Sequence, residues 1–281
     1  MAEKTQTARD VVFHIRRYCP GKDRAPYVQS FTVPVQPGMT VLDGLHYARE
    51  TFDQSLAFRY SCRMGVCGSC GMLLNGKPTL ACNTQILDIA DRELTVGPLP
   101  NFRIIRDLVP DLVPMFDKHI ALAPFVKRED EADVNDPEGE YYQSPHDLEK
   151  YLQFTYCIKC ACCMAGCPTL ATDLEYLGPM PLTAAYRYNA DTRDGGRKLR
   201  GKAAGSSHGA FRCHYAGECS RVCPKGVDPA KAIQHLKRQL VLDYLHLAKK
   251  QKPCAKQHGP SSMPRDPKIP EAPAYTIDGA K

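Results

Sequence analysis

With 281 residues, 43% of them hydrophobic and 24% charged, the chain has the make-up of a globular protein large enough for two domains. It contains no run of 18 apolar residues, and the polar segment Met1–Asp10 has neither a secretory signal's apolar core nor an acid-free transit character, so membrane spans and secretion are excluded as expectations. The net charge of +6 is uneven, with nine acids against one lysine between Glu129 and Lys150, and 16 Lys and Arg against four acids from Arg197 to Lys268.

The basic half is either a solvated face or a surface lying against anionic headgroups or a membrane partner. Nucleic acid is not expected, because no binding motif accompanies the charge. A cytoplasmic location is the simplest expectation. The fourteen cysteines form close-spaced groups and suggest metal ligation rather than disulfides.

Strand signals fill residues 1–110. Phe13 and Ile15 alternate with His14 and Arg16, and Phe31, Val33 and Val35 share one face. Thr40-Val41-Leu42-Asp43 is a capping-box pattern, followed by Val41, Leu45, Ala48 and Phe52 at helical spacing. The next feature is Cys62-x4-Cys67-x2-Cys70, with Cys82 eleven residues on, the frame of a plant-type [2Fe–2S] site. Two irons need four thiolates, and Gly65, Gly68 and Gly71 let the loop pass close to the sulfides and offer them N–H groups. A structural zinc site is the alternative use of such cysteines. Gly71–Leu74 and Thr79–Gln85 read as strands about an Asn75-Gly76 turn, bringing Cys82 in on a strand, and Glu93–Val96 reads as one more. Strands, one helix and a metal loop make a β-grasp domain.

Ile104, Leu108, Leu112 and Met115 suggest a helix that Pro110 must kink, and 111–143 reads as a linker. From 144 to 250 the pattern is helical. Ser144-Pro145-His146-Asp147 opens a helix whose face is Leu148, Tyr151, Leu152 and Thr155. Asp228-Pro229 opens the last helix, with a stripe of Ile233, Leu236, Leu240, Tyr244 and Leu247. Residues 251–281, with six prolines, read as an extended tail.

Between these helices Cys157, Cys160, Cys163 and Cys167-Pro168 follow the C-x2-C-x2-C-x3-C-P frame, in which the fourth cysteine serves a second cluster. Shifted by 56 residues, Cys157, Cys163, Cys167 and Pro168 fall on Cys213, Cys219, Cys223 and Pro224, while Cys160 falls on Ala216. The chain therefore carries two copies of one motif, the second lacking a ligand. In the exchanged arrangement Cys157, Cys160, Cys163 and Cys223 hold a [4Fe–4S] cluster. Cys167, Cys213 and Cys219 are left with three thiolates, which predicts a [3Fe–4S] centre. Off frame, Cys162 reads as a small buried residue, and Cys19 and Cys254 as free thiols. The fold class expected is α+β: an N-terminal β-grasp plant-type ferredoxin domain plus a C-terminal all-α bacterial-ferredoxin-like domain.

Residues 10–250, through Ser61–Cys70, the 157–168 run, Ala185-Tyr186-Arg187 and Cys223-Pro224-Lys225-Gly226, resemble the iron–sulfur subunits of succinate:quinone oxidoreductases and fumarate reductases. The resemblance implies a wire through [2Fe–2S], [4Fe–4S] and [3Fe–4S] between a FAD-bearing dicarboxylate subunit and quinone at a membrane-anchor cytochrome b-type subunit, with haem only in partners. It also implies that the three-thiolate centre is native and that Pro168, Thr169, His214 and Lys237 line a quinone pocket, the lysine countering charge on a reduced cluster. It places the chain peripherally on the cytoplasmic face of a bacterial cell membrane. Where some ubiquinone-linked members carry tryptophan after the Cys-Pro, this chain has Leu170, Ala171 and Thr172 and no Trp anywhere, which favours menaquinone. No catalytic residue is expected in the chain itself. A freestanding polyferredoxin and a heterodisulfide-reductase-like subunit are the competing readings.

Overall fold

The computed structural model describes residues 8–128, 139–247 and 256–258. Strands β1 (Arg9–Arg17), β2 (Tyr27–Val35), β3 (Gly71–Leu74), β4 (Lys77–Leu80) and β5 (Glu93–Gly97) form one sheet in the order β2-β1-β5-β3-β4. The β1–β5 pair is parallel and the other pairs are antiparallel. Val11, Phe13 and Ile15 point from β1 into the core, where they meet Leu42 and Leu45 of α1 (Val41–Thr51). The capping box is present: Thr40 Oγ1 accepts from Asp43 N–H, and Asp43 Oδ2 accepts from Thr40 N–H at 2.9 Å. Asn75 and Gly76 turn β3 into β4, both with positive φ.

Two local expectations fail in this half. Cys82 lies not on a strand but on a 3-10 turn (Ala81–Asn83) beyond β4, just before the short α2 (Ile86–Ile89). The apolar spacing from Ile104 to Met115 is not one helix. Ile104–Arg106 (β6) and Val109–Pro110 (β7) form a hairpin, and α3 starts afresh at Val113–Ile120. Asp107 at the hairpin tip has φ 46° and donates its N–H to Tyr18 O at 2.7 Å, and Pro110 has no N–H for a helix.

Asp107 is also the centre of a buried network. Its Oδ1 accepts from Arg17 Nε at 3.0 Å and Tyr18 N–H at 3.1 Å, and its Oδ2 from Ala57 N–H at 3.0 Å. Arg17 continues to Asp53 at 2.8 Å and Ser55 at 2.9 Å. This fixes the segment that leads into the Cys62 loop.

The second lobe contains α4 (Pro145–Glu149), α5 (Leu152–Thr155), α6 (Cys162–Ala165), α7 (Pro168–Thr172), α8 (Pro179–Ala190), α9 (Arg197–Ala204), α10 (Glu218–Arg221) and α11 (Pro229–Tyr244). Helix α8 is its axis, with α3, α5, α9 and α11 packed around it. Tyr186 of α8 stacks on His235 at 5.2 Å, and Phe154 meets Tyr186 edge-on. The expected face Leu148–Thr155 is broken between α4 and α5, and Tyr151 and Phe154 are the residues it buries. The α11 stripe is buried through Leu236 and half-buried at Leu240, while Tyr244 and Leu247 are exposed.

Residues 111–143, read as a linker, include α3, and Met115 and Leu122 are buried in the second core. Arg200 explains why this crossing is ordered: fully buried, it pairs with Asp194 through both oxygens at 2.7 and 2.8 Å and donates to Ala123 O at 3.0 Å and Phe125 O at 2.6 Å. Within the tail, Lys256–His258 (β9) pairs antiparallel with Gly139–Tyr141 (β8). The acidic stretch 129–138 and Cys254 lie outside the described residues.

The lobes interlock. Cys162 and Val222 are buried in the first core and Leu99 in the second. Asn101, at φ 67°, donates from one amide nitrogen toward three carbonyls, those of Met164 (3.0 Å), Ala165 (3.1 Å) and Cys167 (3.2 Å).

Candidate metal centres

The loop from Cys62 to Cys70 turns its amides onto sulfur. Cys62 Sγ accepts from Val66 N–H at 3.4 Å and Cys67 N–H at 3.3 Å, Cys82 Sγ from Gly65 N–H at 3.3 Å, and Cys70 Sγ from Cys82 N–H at 3.4 Å. The four expected thiols are thus brought together by the backbone. Amides aimed at sulfur stabilise thiolate: although burial opposes it, N–H donors from Cys62 and Ser69 lower Cys67 to about 6. Burial dominates at Cys70 and pushes it up to about 12. The loop lies at the surface, with Met64 and Val66 exposed beside Cys67.

On its inner side the same loop touches the second motif. A Cβ on Gly68 would lie 2.9 Å from Cys160 Cα, and one on Gly71 would lie 2.7 Å from Cys160 O. Only glycine permits this approach.

Cys157, Cys160, Cys163 and Cys223 line one hollow of about 380 Å³, including its open mouth, with Ile158, Met180, Val227 and Pro224 among the walls. Cys223, sixty residues beyond Cys163, thus faces the same space as the first three. Burial raises Cys157 and Cys163, and a hydrogen bond from Cys162 lowers Cys160 to about 7. Cys162, expected as packing, is fully buried and also adjoins Gly71.

Cys167, Cys213 and Cys219 form the third group. Each interacts electrostatically with the others, and burial raises Cys167 and, to about 11, Cys219. Cys213 Sγ accepts from Tyr215 N–H at 3.4 Å. The 56-residue repeat extends to the backbone. Lys159 and Tyr215 have φ 55° and 60°, Ala161 and Gly217 have 67° and 77°, and the helices α6 and α10 begin one residue later in each copy. Ala216 therefore stands in the loop position that Cys160 fills in the first copy.

Deep thiols whose burial opposes ionisation suit a cofactor that itself carries the compensating positive charge. Among the described residues no three His, Cys, Asp or Glu side chains converge as donors to one bare ion would. Thiolates of an iron–sulfur cluster bind different irons and are not expected to share such a point.

Of the residues expected at quinone, Lys237 donates from Nζ to Cys213 O at 2.8 Å, placing its charge beside the third group. His214 is exposed, Pro168 is exposed at the start of α7, and Thr169 is buried beside Cys167, to which it donates. Exposed Phe211 and Tyr215 flank Cys213 and His214, an aromatic rim that the cysteine spacing alone does not reveal.

A family model described as a 2Fe-2S iron–sulfur cluster binding domain matches residues 12–117, and one described as a 4Fe-4S dicluster domain matches 153–227. The chain is 44% identical over 227 residues to the fumarate reductase iron–sulfur subunit of Mycobacterium tuberculosis, covering 81% of this chain and 91% of that one. It is 38% identical to the mitochondrial succinate dehydrogenase [ubiquinone] iron–sulfur subunit of Candida glabrata, covering 86% and 96%. The chain belongs to the family of fumarate reductase and succinate dehydrogenase iron–sulfur subunits. A chain of the Mycobacterium smegmatis Sdh1 complex in the apo form superposes with a TM-score of 0.71 at 27% identity, over 85% of this chain and 98% of its own. The α+β reading, a β-grasp ferredoxin unit followed by a helical ferredoxin-like unit, agrees with these matches. As in the family, the chain is an iron–sulfur electron-transfer subunit of an oxidoreductase. No helix among the described residues is long and apolar enough to cross a membrane.

Proposed function

We propose that this subunit carries electrons between a FAD-containing dicarboxylate subunit and quinone, most simply menaquinone, held against a membrane-anchor subunit at the cytoplasmic face of a bacterial membrane. The proposed ligand sets are Cys62, Cys67, Cys70 and Cys82 for [2Fe–2S], Cys157, Cys160, Cys163 and Cys223 for [4Fe–4S], and Cys167, Cys213 and Cys219 for [3Fe–4S]. Pro168, Thr169, His214 and Lys237 are the proposed quinone residues. The observation that carries the reading is the hollow that Cys223 shares with Cys157, Cys160 and Cys163. It leaves Cys167 to the three-thiol group. The contact of Gly68 and Gly71 with Cys160 supports a first step from the surface loop to the second centre. The charge of Lys237 on Cys213 O supports quinone reduction near the third. When bound, the clusters supply one-electron transfer; the chain holds them and sets their potentials through N–H donors and burial.

Extraction from membranes in mild detergent, followed by metal analysis and EPR, tests this. The expected result is co-isolation with a flavoprotein and an anchor, with signals of all three cluster types. Isolation without flavin or anchor would instead favour a freestanding polyferredoxin. Ala216→Cys is expected to convert the third centre to a second [4Fe–4S] cluster, abolishing the oxidised-state [3Fe–4S] signal and lowering its midpoint potential. An unchanged signal would mean that the 56-residue correspondence does not hold at Ala216.

A further inference from the structure

Tyr176 lies between α7 and α8 and is fully buried. Its hydroxyl oxygen, enclosed by protein, bonds to no nitrogen or oxygen of the described residues, and the group it faces most directly is the Cys213 thiol. Leaving a buried hydroxyl unpaired is costly, so such a group commonly has a partner that the polypeptide does not provide. It shares a buried cluster with Cys167 and Cys219, against which Cys213 packs, and its leading titratable neighbours are these three thiols.

The ring is held there from several directions. Tyr176 N–H donates to Asp173 Oδ1 at 3.2 Å, and its carbonyl accepts from Lys118 Nζ at 2.8 Å. Leu177 N–H donates to His208 O at 2.9 Å. Asp173 also accepts from His208 Nδ1 and Arg212 Nε, both at 3.0 Å, tying the Tyr176 segment to the stretch that ends at Cys213. A phenol keeps its proton near neutral pH, so the hydroxyl is available as a donor.

We propose that Tyr176 donates a hydrogen bond from its hydroxyl to a sulfur of the three-cysteine centre, on the Cys213 side, and thereby raises the potential of that centre. Cys167 already receives donors from Thr169 and Leu170, Cys219 from Ser220 and Cys213 from Tyr215; Tyr176 adds one from the protein interior. A donor to sulfur stabilises the more negative, reduced cluster over the oxidised one. Tyr176 is a positioning and tuning residue and takes no electron itself. The inference rests on the reading of Cys167, Cys213 and Cys219 as a [3Fe–4S] site.

The test is EPR redox titration of the cluster-loaded protein, wild type against Tyr176→Phe. At fixed poise the reduced-to-oxidised ratio of the [3Fe–4S] centre should fall about tenfold in the variant, a shift of about 59 mV for one electron. The other two centres should not move. An unchanged ratio, or an equal shift of all three centres, overturns the inference. A wild type without any [3Fe–4S] signal overturns the underlying reading instead. Should the variant fail to load the third centre, the wild type decides alone. Its [3Fe–4S] signal should show a coupled proton that disappears in protein grown in deuterium oxide, in addition to those of the backbone donors. Its absence overturns the proposal, and its presence upholds it.

Discussion

Replacing Cys223 with alanine is expected to eliminate the [4Fe–4S] signal and spare the [3Fe–4S] signal, although Cys223 ends the second motif. Cys167→Ala, in the first motif, is expected to do the reverse. Local ligation within each motif predicts the opposite pairing of variant and lost signal, so the two substitutions discriminate between the arrangements. The physical basis is the hollow in which Cys223 joins Cys157, Cys160 and Cys163, while Cys167 interacts with Cys213 and Cys219. Changing groups that hydrogen-bond a metal's ligands costs about 10–100-fold, so removing a direct ligand should lower electron delivery to quinone by roughly 100-fold or more. The measurements are EPR in the oxidised and dithionite-reduced states and quinone reductase turnover. A Cys223→Ala protein that keeps its [4Fe–4S] signal and loses the [3Fe–4S] signal would refute the exchange.

Arg200→Ala should cost the helical lobe about 3–5 kcal/mol, because it leaves Asp194 buried and uncompensated. The carbonyls of Ala123 and Phe125 lose their donor at the same time. The loss should appear as a lower thermal midpoint and poor loading of both inner clusters, with the [2Fe–2S] signal retained, since its lobe has its own core. Replacing both partners, as in Arg200→Met with Asp194→Leu, should cost less than the single change, because no lone charge is then buried. A double variant that is less stable than Arg200→Ala would show that the other contacts of Asp194, which accepts from Lys127 N–H at 2.9 Å and Gly196 N–H at 2.8 Å, outweigh the relief of the lone charge.

Cluster spacing was readable in the sequence because metal ligation imposes fixed short intervals, and the 56-residue offset survives in the backbone angles at Lys159 and Tyr215. The first lobe was readable for a similar reason: β1, β2, β3 and β5 alternate faces and α1 carries its own cap. What was hidden depends on distant partners. Ile104 to Met115 imitates helical spacing, but Asp107 is held at its turn by Arg17, ninety residues earlier. Arg200 reads as one basic residue among many until Ala123, seventy-seven positions away, reaches it. Tyr176 carries no spacing signal, and its importance emerges only from its enclosure and its neighbours. Cys82 was given a strand, because a 3-10 turn of three residues leaves no periodic trace.

The contact of Gly68 and Gly71 with Cys160 has a kinetic meaning. Electron tunnelling weakens exponentially with the gap crossed, and here two loops from separate lobes meet backbone to backbone with no side chain between them. Under the proposed relay, any larger residue at either glycine would act as a spacer, adding distance between the Cys62 loop and the Cys160 loop. The Asn101 amide, bonded to the carbonyls of Met164, Ala165 and Cys167, ties the segment after β5 to the turn between Cys163 and Cys167. On the proposed ligand sets, the two packed ferredoxin units form one conductor, not a carrier and a docking partner that must find each other at every turnover.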